Sequence, residues 1–488
     1  EKEIMKKILF ITLILAGSVI SCDDDKLIEM NRPKKNAAKV PGELLFTNGS
    51  RNMFDLMTNT DVNTNVFRLY SQYWAQTTYP DESQYNMVTR EIPDNFWEAA
   101  YRDALKDLDE AARVIEEEYE SLGMTEGHKN NQIAIIDVHK AYMYTVLVDL
   151  FGAVPFSEAL DEENLLPKYD AGQDVYSGAI DMLNAAISAM NVNEPGFSST
   201  QDPIYQGDME GWLKFANSLK LRLAITIEDV DPSKAQTMVT EALASGVIDS
   251  NDSNTSITYE NSAPNTNPVW EDLVQSGRED YVVANTLVDK LNELSDPRLP
   301  VFAEPLGDGT FQGGEYGTGN TYADNSHIGD LFHQPDLEGV IFDYSEVEFL
   351  LAEAIERGLT GVPGTAAEHY TEGIRASMEY WGVDDADIDA YIAQPEVAYA
   401  TAAGTWKQKI GSQLWIAYYN RGYEGWTMWR RLDFEGFNVP DGLDESDIPR
   451  RMTFPIEEAT LNPTALTAAI QTIGGADDVQ TKVFWDMN

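Results

Sequence analysis

The chain has 488 residues, of which 43% are apolar, and its 34 basic and 82 acidic side chains give a formal net charge of -48. The apolar content is that of a folded protein, and the excess of acid excludes a general affinity for nucleic acid or anionic lipid. Ten Trp and 23 Tyr residues make the chain rich in aromatic rings.

The first 21 residues are typical of an export signal. Basic residues at Lys6 and Lys7 precede an apolar run over 8–20, which is too short to span a bilayer comfortably. The run ends at Cys22, the only cysteine, and the preceding Val-Ile-Ser resembles a bacterial lipobox. We therefore expect residues 1–21 to be a lipoprotein signal peptide and Cys22 to be the site of lipidation. The alternative is a chance cysteine beside an ordinary signal peptide.

An acidic run, Asp23 to Asp25, follows the cysteine. It resembles the signal that directs Bacteroidota lipoproteins to the cell surface, on the outer face of the outer membrane, and it is also typical of a solvated tether. We assign residues 22–44 to this lipidated, acidic and polar tether, and residues 45–488 to a single domain. Because no second apolar run reaches 18 residues, we expect membrane contact through the lipid anchor alone.

The domain sequence alternates between helical and irregular stretches. Apolar residues recur at spacings of three or four, which predicts amphipathic or buried helices. The predicted helices cover 94–119, 131–151, 174–190, 210–227, 233–245, 343–357, 366–381 and 408–420. Segments 175–190 and 369–381 resemble the second half of a tetratricopeptide unit without a strict period, so the repeats are degenerate; an ordinary helical bundle is the alternative.

Three long irregular segments interrupt the helices, at 60–92, 248–282 and 300–340. Irregular segments of this length in a compact domain are usually functional or disordered, and their many aromatic residues argue against disorder. They are therefore the first places to look for a ligand site.

Six strings in chain order resemble the SusD/RagB family of surface glycan-binding lipoproteins, in its SusD-like branch. The family's N-terminal segment is similar to PGELL (41–45), and the other matching strings lie at 149–160, 212–224, 296–302 with 343–354, 413–434 and 449–462. The resemblance implies a mainly all-α fold in which four tetratricopeptide-like helix pairs support an irregular ligand-binding face. It also implies a partner, a SusC-like TonB-dependent outer-membrane transporter, to which captured oligosaccharide or polysaccharide is delivered.

A neutral sugar needs aromatic platforms for its C–H face and polar side chains for its hydroxyls. In segment 71–85 we expect Trp74 and Tyr79 to stack on the sugar, and Gln72 and Asp81 to bond its hydroxyls. Segments 267–281 and 316–322 complete the predicted groove, with Trp270, Arg278, Tyr281, Tyr316 and Tyr322. Trp74 is the leading candidate, because the resemblance implies that ligand sites draw on the region that follows the family's first helix.

We interpret most residues of the matching strings that are rich in Trp and Arg as packing residues. We expect Trp415, Trp426, Trp429, Arg430 and Arg431 to be buried, with the arginines tied to carboxylates or carbonyls. A ligand platform built on cation–π contacts is the alternative.

We predict no catalytic residue, no metal site and no cofactor. The five histidines have no metal-ligand spacing, and His139 is expected to be a core residue. Residues 385–396 approach a calcium-loop pattern but read better as an acidic helix start, so structural calcium stays open. Three other functions also stay open: a peptide-binding lid of the same architecture, a surface glycosidase, and a lid without ligand specificity.

Overall fold

The computed structural model describes residues 2–3 and 40–487, of which residues 42–487 belong to one compact unit. Cys22, nearly all of the predicted signal peptide and the tether up to residue 39 lie outside the described residues, so the predicted lipidation and domain boundaries stay predictions. Among the described residues, no helix combines the length and apolarity needed to cross a membrane.

The first half of the domain contains the longest described helices together with two short ones. These are α1 (Gly42–Thr58), α2 (Phe67–Tyr70), α3 (Ile92–Glu98), α4 (Lys106–Glu118), α5 (Glu126–Phe151), α6 (Gly172–Ala189), α7 (Met209–Ile227) and α8 (Pro232–Ser245). A π-helical segment, Ala99–Leu105, joins α3 to α4. The prediction for 94–119 therefore covers two α-helices and the wider turn between them.

The second half has shorter helices separated by longer loops. These are α9 (Pro268–Trp270), α10 (Asn285–Leu294), α11 (Leu299–Phe302), α12 (Tyr344–Glu356), α13 (Ala366–Tyr380), α14 (Asp385–Ile392), α15 (Trp406–Ala417), α16 (Gly422–Leu432), α17 (Glu458–Leu461) and α18 (Pro463–Thr472). The stretch that approached a calcium loop is α14, with Asp385 and Asp387 in its first turn, as the helix interpretation predicts.

Side-chain caps explain where several helices begin. Asp208, Asp231 and Asp343 accept hydrogen bonds from the first-turn N–H groups of α7, α8 and α12. Thr365 and Thr405 form reciprocal capping boxes with Glu368 and Gln408 at the starts of α13 and α15.

Four helix pairs form the scaffold: α1 with α4, α5 with α6, α7 with α8, and α12 with α13. Their facing sides share one continuous hydrophobic core, which includes nearly all of α5. This arrangement confirms the mainly α-helical fold of paired helices.

Three two-stranded antiparallel sheets connect the irregular segments. β1 (Trp74–Gln76) pairs with β5 (Tyr281–Val283), β2 (Ala153–Val154) with β3 (Asp170–Ala171), and β4 (Thr255–Ile257) with β6 (Gly339–Phe342). The β1–β5 sheet matters most for function, because it joins two of the segments that the sequence singled out.

Interior residues confirm the packing interpretation of the Trp and Arg strings. Trp426 and Arg430 are fully buried, and the Arg430 guanidinium lies 3.8 Å from the centre of the Trp426 ring. One Arg430 nitrogen, Nη1, donates to the carbonyl oxygen of Asp149 at 2.7 Å. His139 is also in the core, and burial lowers its pKa to about 4.

Candidate functional site

The site is organised by the pairing of β1 with β5. Trp74, Ala75 and Gln76 lie opposite Val283, Val282 and Tyr281, so the segments around residues 71–85 and 267–281 run side by side. The pairing continues beyond the strands, since the N–H of Thr77 donates to the carbonyl oxygen of Asp280 at 2.9 Å. A ladder between residues so far apart in sequence gives both loops a fixed relative position.

A glycine-rich segment, residues 307–320, binds to the same two strands. The N–H of Gly314 donates to the carbonyl oxygen of Val283 at 2.8 Å, and the side-chain amide of Asn320 donates to the carbonyl oxygen of Gln76 at 3.0 Å. Gly314 is needed for this approach, because a Cβ atom there would lie 2.6 Å from a methyl carbon of Val282. At the start of the segment, by contrast, a Cβ on Gly307 would meet no atom within 4 Å.

The three segments therefore meet in one surface, which we call the three-segment face and define by Thr77, Tyr79, Arg278, Asn320 and Tyr322. All three irregular segments that the sequence predicted to form the groove contribute to it. The face lies beside the β1–β5 sheet.

Tyr79 is the most exposed ring on this face, with 66% of its surface accessible. It lies in a tight turn with φ of 51°, and the buried amide of Gln76 holds that turn. Gln76 Nε2 donates to the carbonyl oxygen of Tyr79 at 3.1 Å and to the Glu82 carboxylate at 2.6 Å, while its Oε1 accepts from the N–H of Ser83 at 3.0 Å. A saturated side chain of this kind positions Tyr79 and has little capacity left for a ligand hydroxyl.

Tyr322 is the second available ring. It is half-buried and stacks on His327, with ring centres 3.8 Å apart and planes inclined by 12°. Partial burial, together with the nearby carboxylates of Glu279 and Glu304, raises the pKa of the Tyr322 hydroxyl. At neutral pH this hydroxyl is therefore a neutral hydrogen-bond donor beside an aromatic face.

Arg278 provides charge next to the rings. It is exposed and forms an ion pair with Asp280, and this hydrogen bond is the main reason that the pKa of Arg278 is raised, with Tyr281 and Tyr79 adding to it. The face thus offers two rings, a guanidinium with its carboxylate partner, and the Thr77 hydroxyl oxygen as an acceptor. These are the groups that bind the hydroxyls and C–H faces of sugars. The Asn320 amide is already bonded to main-chain groups of Gln76, Glu315 and Thr318 and serves to position the glycine-rich segment.

The structure places four of the nine predicted ligand residues in the core, which corrects their expected role as direct contacts. Trp74 is 1% exposed: its Nε1 donates to the Tyr419 hydroxyl at 3.0 Å and the Arg68 guanidinium lies 5.3 Å from its ring centre. A ring enclosed in this way has no free face for stacking. The other three buried residues are Gln72, Tyr281 and Tyr316.

Internal contacts account for the burial of Gln72, Tyr281 and Tyr316. The amide of Gln72 is used internally, since Nε2 donates to the carbonyl oxygen of Asn438 at 2.7 Å and Oε1 accepts from the Thr286 hydroxyl at 2.8 Å. Tyr281 donates its hydroxyl hydrogen to the carbonyl oxygen of Thr60 at 2.8 Å. Tyr316 packs near Tyr85, with ring centres 6.3 Å apart.

The remaining five predicted residues retain some exposure. Tyr79, Arg278 and Tyr322 lie on the three-segment face, and Asp81 lies in the turn that follows Tyr79. Trp270 is half-buried in the short helix α9, which contacts α1 and the turn Asp330–His333. The described contacts do not place Trp270 with the other rings.

The sequence analysis did not select two residues that belong to the site, His327 and Asn320. His327 was considered only as a metal ligand, although it stacks on Tyr322 five residues away. The bond from the Asn320 amide to Gln76 depends on long-range pairing, which no local pattern indicates.

One group beside the face has metal-binding chemistry. Glu304, Asp330 and His333 each place a potential ligand atom within 4.8 Å of the others. Carboxylate and imidazole together suit zinc better than calcium, which prefers oxygen ligands alone. Asp330 is strongly exposed, and beyond its 4.0 Å approach to His333 nothing else in the described residues indicates a bound ion there.

A family model named SusD-like and described as "Starch-binding associating with outer membrane" matches residues 33–455. Among solved structures, a chitin-binding protein is 28% identical with a TM-score of 0.78, covering 92% of this chain and 99% of that one. No match was found among curated proteins.

Two further solved structures share the fold. A chitin-binding SusD homolog from Flavobacterium johnsoniae is 24% identical with a TM-score of 0.76, and covers 91% of this chain and 99% of that chain. A SusD homolog from Bacteroides uniformis is 24% identical with a TM-score of 0.77 and the same coverage.

Proposed function

The chain belongs to the SusD-like family, whose members associate with the outer membrane, and from this premise we propose that it binds oligosaccharide on the three-segment face at the cell surface. The observation that carries the proposal is the convergence of two accessible rings, Tyr79 and Tyr322, with the Arg278–Asp280 pair. A chitin oligosaccharide is the first ligand to test, because a relative with 28% identity is a chitin-binding protein.

The proposal extends to cargo transfer. Cys22 carries the lipid anchor, and the protein delivers bound oligosaccharide to a SusC-like TonB-dependent transporter. Fold and family membership support this extension. The side chains of the face hold and orient sugar, and no cleavage step is assigned to them.

The test uses the chain that begins at Asp23, which keeps the whole compact unit from Gly42. Isothermal titration with N-acetylchitohexaose is compared for the parent protein, Tyr79→Ala and Tyr322→Ala. We expect each substitution to weaken binding roughly tenfold, because each removes one stacking surface worth about 1 kcal/mol or more.

Tyr119→Ala is the matched control, since it removes a half-buried tyrosine that follows α4, outside the face. Unchanged affinity in all three variants, with native melting temperatures, would remove the face from the proposal. Binding of another glycan with the same dependence on Tyr79 and Tyr322 would keep the site and replace the ligand.

A further inference from the structure

A cleft lies outside the three-segment face. It is bounded by α10, by α15, and by the loops 395–404 and 434–438. It consists of two adjoining cavities with volumes of about 680 and 200 Å³, which share Lys290, Glu293, Phe434, Glu435 and Gly436. Volumes of this size are typical of ligand sites, and no residue that defines the three-segment face lines this cleft.

We call this feature the acidic cleft. Its floor offers no exposed ring for stacking. Tyr370, Trp415 and Phe434 line it but are almost fully buried. Tyr370 and Trp415 also use their polar atoms internally, donating to the carbonyl oxygens of Val397 and Ser71 at 2.9 Å each. Sugar recognition by stacking therefore does not fit this cleft.

The rim carries uncompensated negative charge. Asp289, Glu293 and Glu396 are exposed, and none of them forms an ion pair within the described part of the chain. The lining also holds two lysines. Lys290 pairs with Glu435 at 3.2 Å, whereas Lys409 donates to the neutral carbonyl oxygen of Tyr399 at 2.8 Å and keeps its charge. The four carboxylates of the lining therefore exceed its two lysines by two negative charges.

The walls also allow a main chain to approach closely. Gly436 leaves open space in the wall, since a Cβ there would meet no atom within 4 Å, whereas the side chain of Gln408 occupies the corresponding space at Gly404. Gln408 and Ser412 lie on α15 and line the cleft; the side-chain carbonyl oxygen of Gln408 is used by the Thr405 capping box, which leaves its NH2 group and the Ser412 hydroxyl for a ligand. Polar groups of this kind pair with peptide N–H and carbonyl groups.

We propose that the acidic cleft binds a short, extended peptide that carries basic side chains, at a site separate from the three-segment face. The side-chain ammonium or guanidinium groups pair with Asp289, Glu293 and Glu396, and the peptide backbone lies along Gln408 and Ser412. Charge complementarity favours this occupant over a neutral sugar, and the absence of exposed rings favours it over an amino sugar.

The test again uses the chain from Asp23, titrated calorimetrically at 0.15 M NaCl with acetyl-Lys-Gly-Lys-Gly-Lys-amide. The corresponding glutamate peptide and a chitosan pentamer are the comparison ligands. Gly436→Trp fills the cleft, and Glu293→Lys reverses one charge of its rim. Asp181→Lys makes the same charge change at an exposed position on α6, outside the cleft.

We expect one saturable site for the lysine peptide, weakened roughly tenfold by Gly436→Trp and by Glu293→Lys, and less than about twofold by Asp181→Lys. Equal weakening by Glu293→Lys and Asp181→Lys would assign the binding to the general acidity of the protein and overturn the proposal. Tighter binding of the chitosan pentamer, or no binding of the lysine peptide, would also overturn it.

Two controls keep the result interpretable. If Gly436→Trp does not reach the parent melting temperature, Glu293→Lys decides alone, because its side chain is exposed. Binding of N-acetylchitohexaose is measured in the same variants. It depends on Tyr79 and Tyr322, so failure of the oligosaccharide proposal and failure of the peptide proposal give different patterns.

Discussion

Trp74 and Tyr79 belong to the same short segment but have opposite environments. Trp74 lies in β1 beneath Arg68 and beside Tyr419, whereas Tyr79 is in the following turn and is largely exposed. Composition predicted that this segment contributes rings to a ligand face; of its two candidate rings, Tyr79 is exposed and Trp74 is buried. Composition could not predict which ring points outward, because that depends on the pairing of β1 with a strand about 200 residues away.

Replacing Trp74 with Ala is expected to act on stability. Removing a fully buried indole and its hydrogen bond to Tyr419 should lower the free energy of unfolding by about 3–5 kcal/mol, as measured by urea denaturation. Tyr79→Ala should change it by less than about 0.5 kcal/mol. Native stability of Trp74→Ala combined with lost sugar binding would reinstate Trp74 as a ligand contact.

At the scale of elements, helices with strong apolar periodicity were predicted within a few residues. The buried helix predicted at 131–151 is α5, Glu126–Phe151, and the earlier start reflects the Thr125 cap. α1 was not predicted, because its sequence GELLFTNGSRNMFDLMT contains two glycines and few regular apolar positions. Those glycines let α1 approach α4, since a Cβ on Gly42 would lie 2.6 Å from Ile115.

Helix α5 contains a carboxyl that titrates above its usual range. Burial raises the pKa of Asp137 to about 6, and Asp109 adds to this while Lys140 opposes it. Because the folded-state pKa lies above the unfolded one, protonation favours the folded state. The contribution of Asp137 to stability is therefore fully present below about pH 4 and is lost as the pH rises to about 6.

Asp137→Asn should remove this loss. Relative to the parent protein, we expect the free energy of unfolding to be higher by about 1–3 kcal/mol at pH 8, with the difference shrinking toward pH 4. Urea denaturation at pH 4, 6 and 8 measures it, with the exposed Asp181→Asn on α6 as the control. A difference that does not depend on pH would contradict the assignment.

For the whole molecule, charge is the dominant property. With 34 basic and 82 acidic side chains, the folded state carries strong self-repulsion between surface carboxylates. Arginines neutralise this charge only locally, as where the half-buried Arg222 and the buried Arg421 both bind the buried Glu346. The net charge follows directly from the sequence, whereas these internal pairs join distant helices and appear only in the folded chain.

Salt should therefore stabilise the protein. We expect the melting temperature to rise by at least roughly 2 °C between 10 and 500 mM NaCl, because screening weakens repulsion beyond the Debye length. Differential scanning calorimetry in NaCl and in KCl measures the effect, and the two salts should agree. A flat or falling melting temperature would show that local ion pairs outweigh the net charge.

The open space around Gly307 has a practical consequence for spectroscopy. Cys22 is the only cysteine, so a chain that begins at Asp23 contains no thiol, and Gly307→Cys would introduce a single one. Its side chain would extend into solvent at the start of the glycine-rich segment, whose later residues bind both strands of the β1–β5 sheet. We expect a fluorophore attached there to respond to ligand binding on the three-segment face, without background labelling elsewhere in the domain.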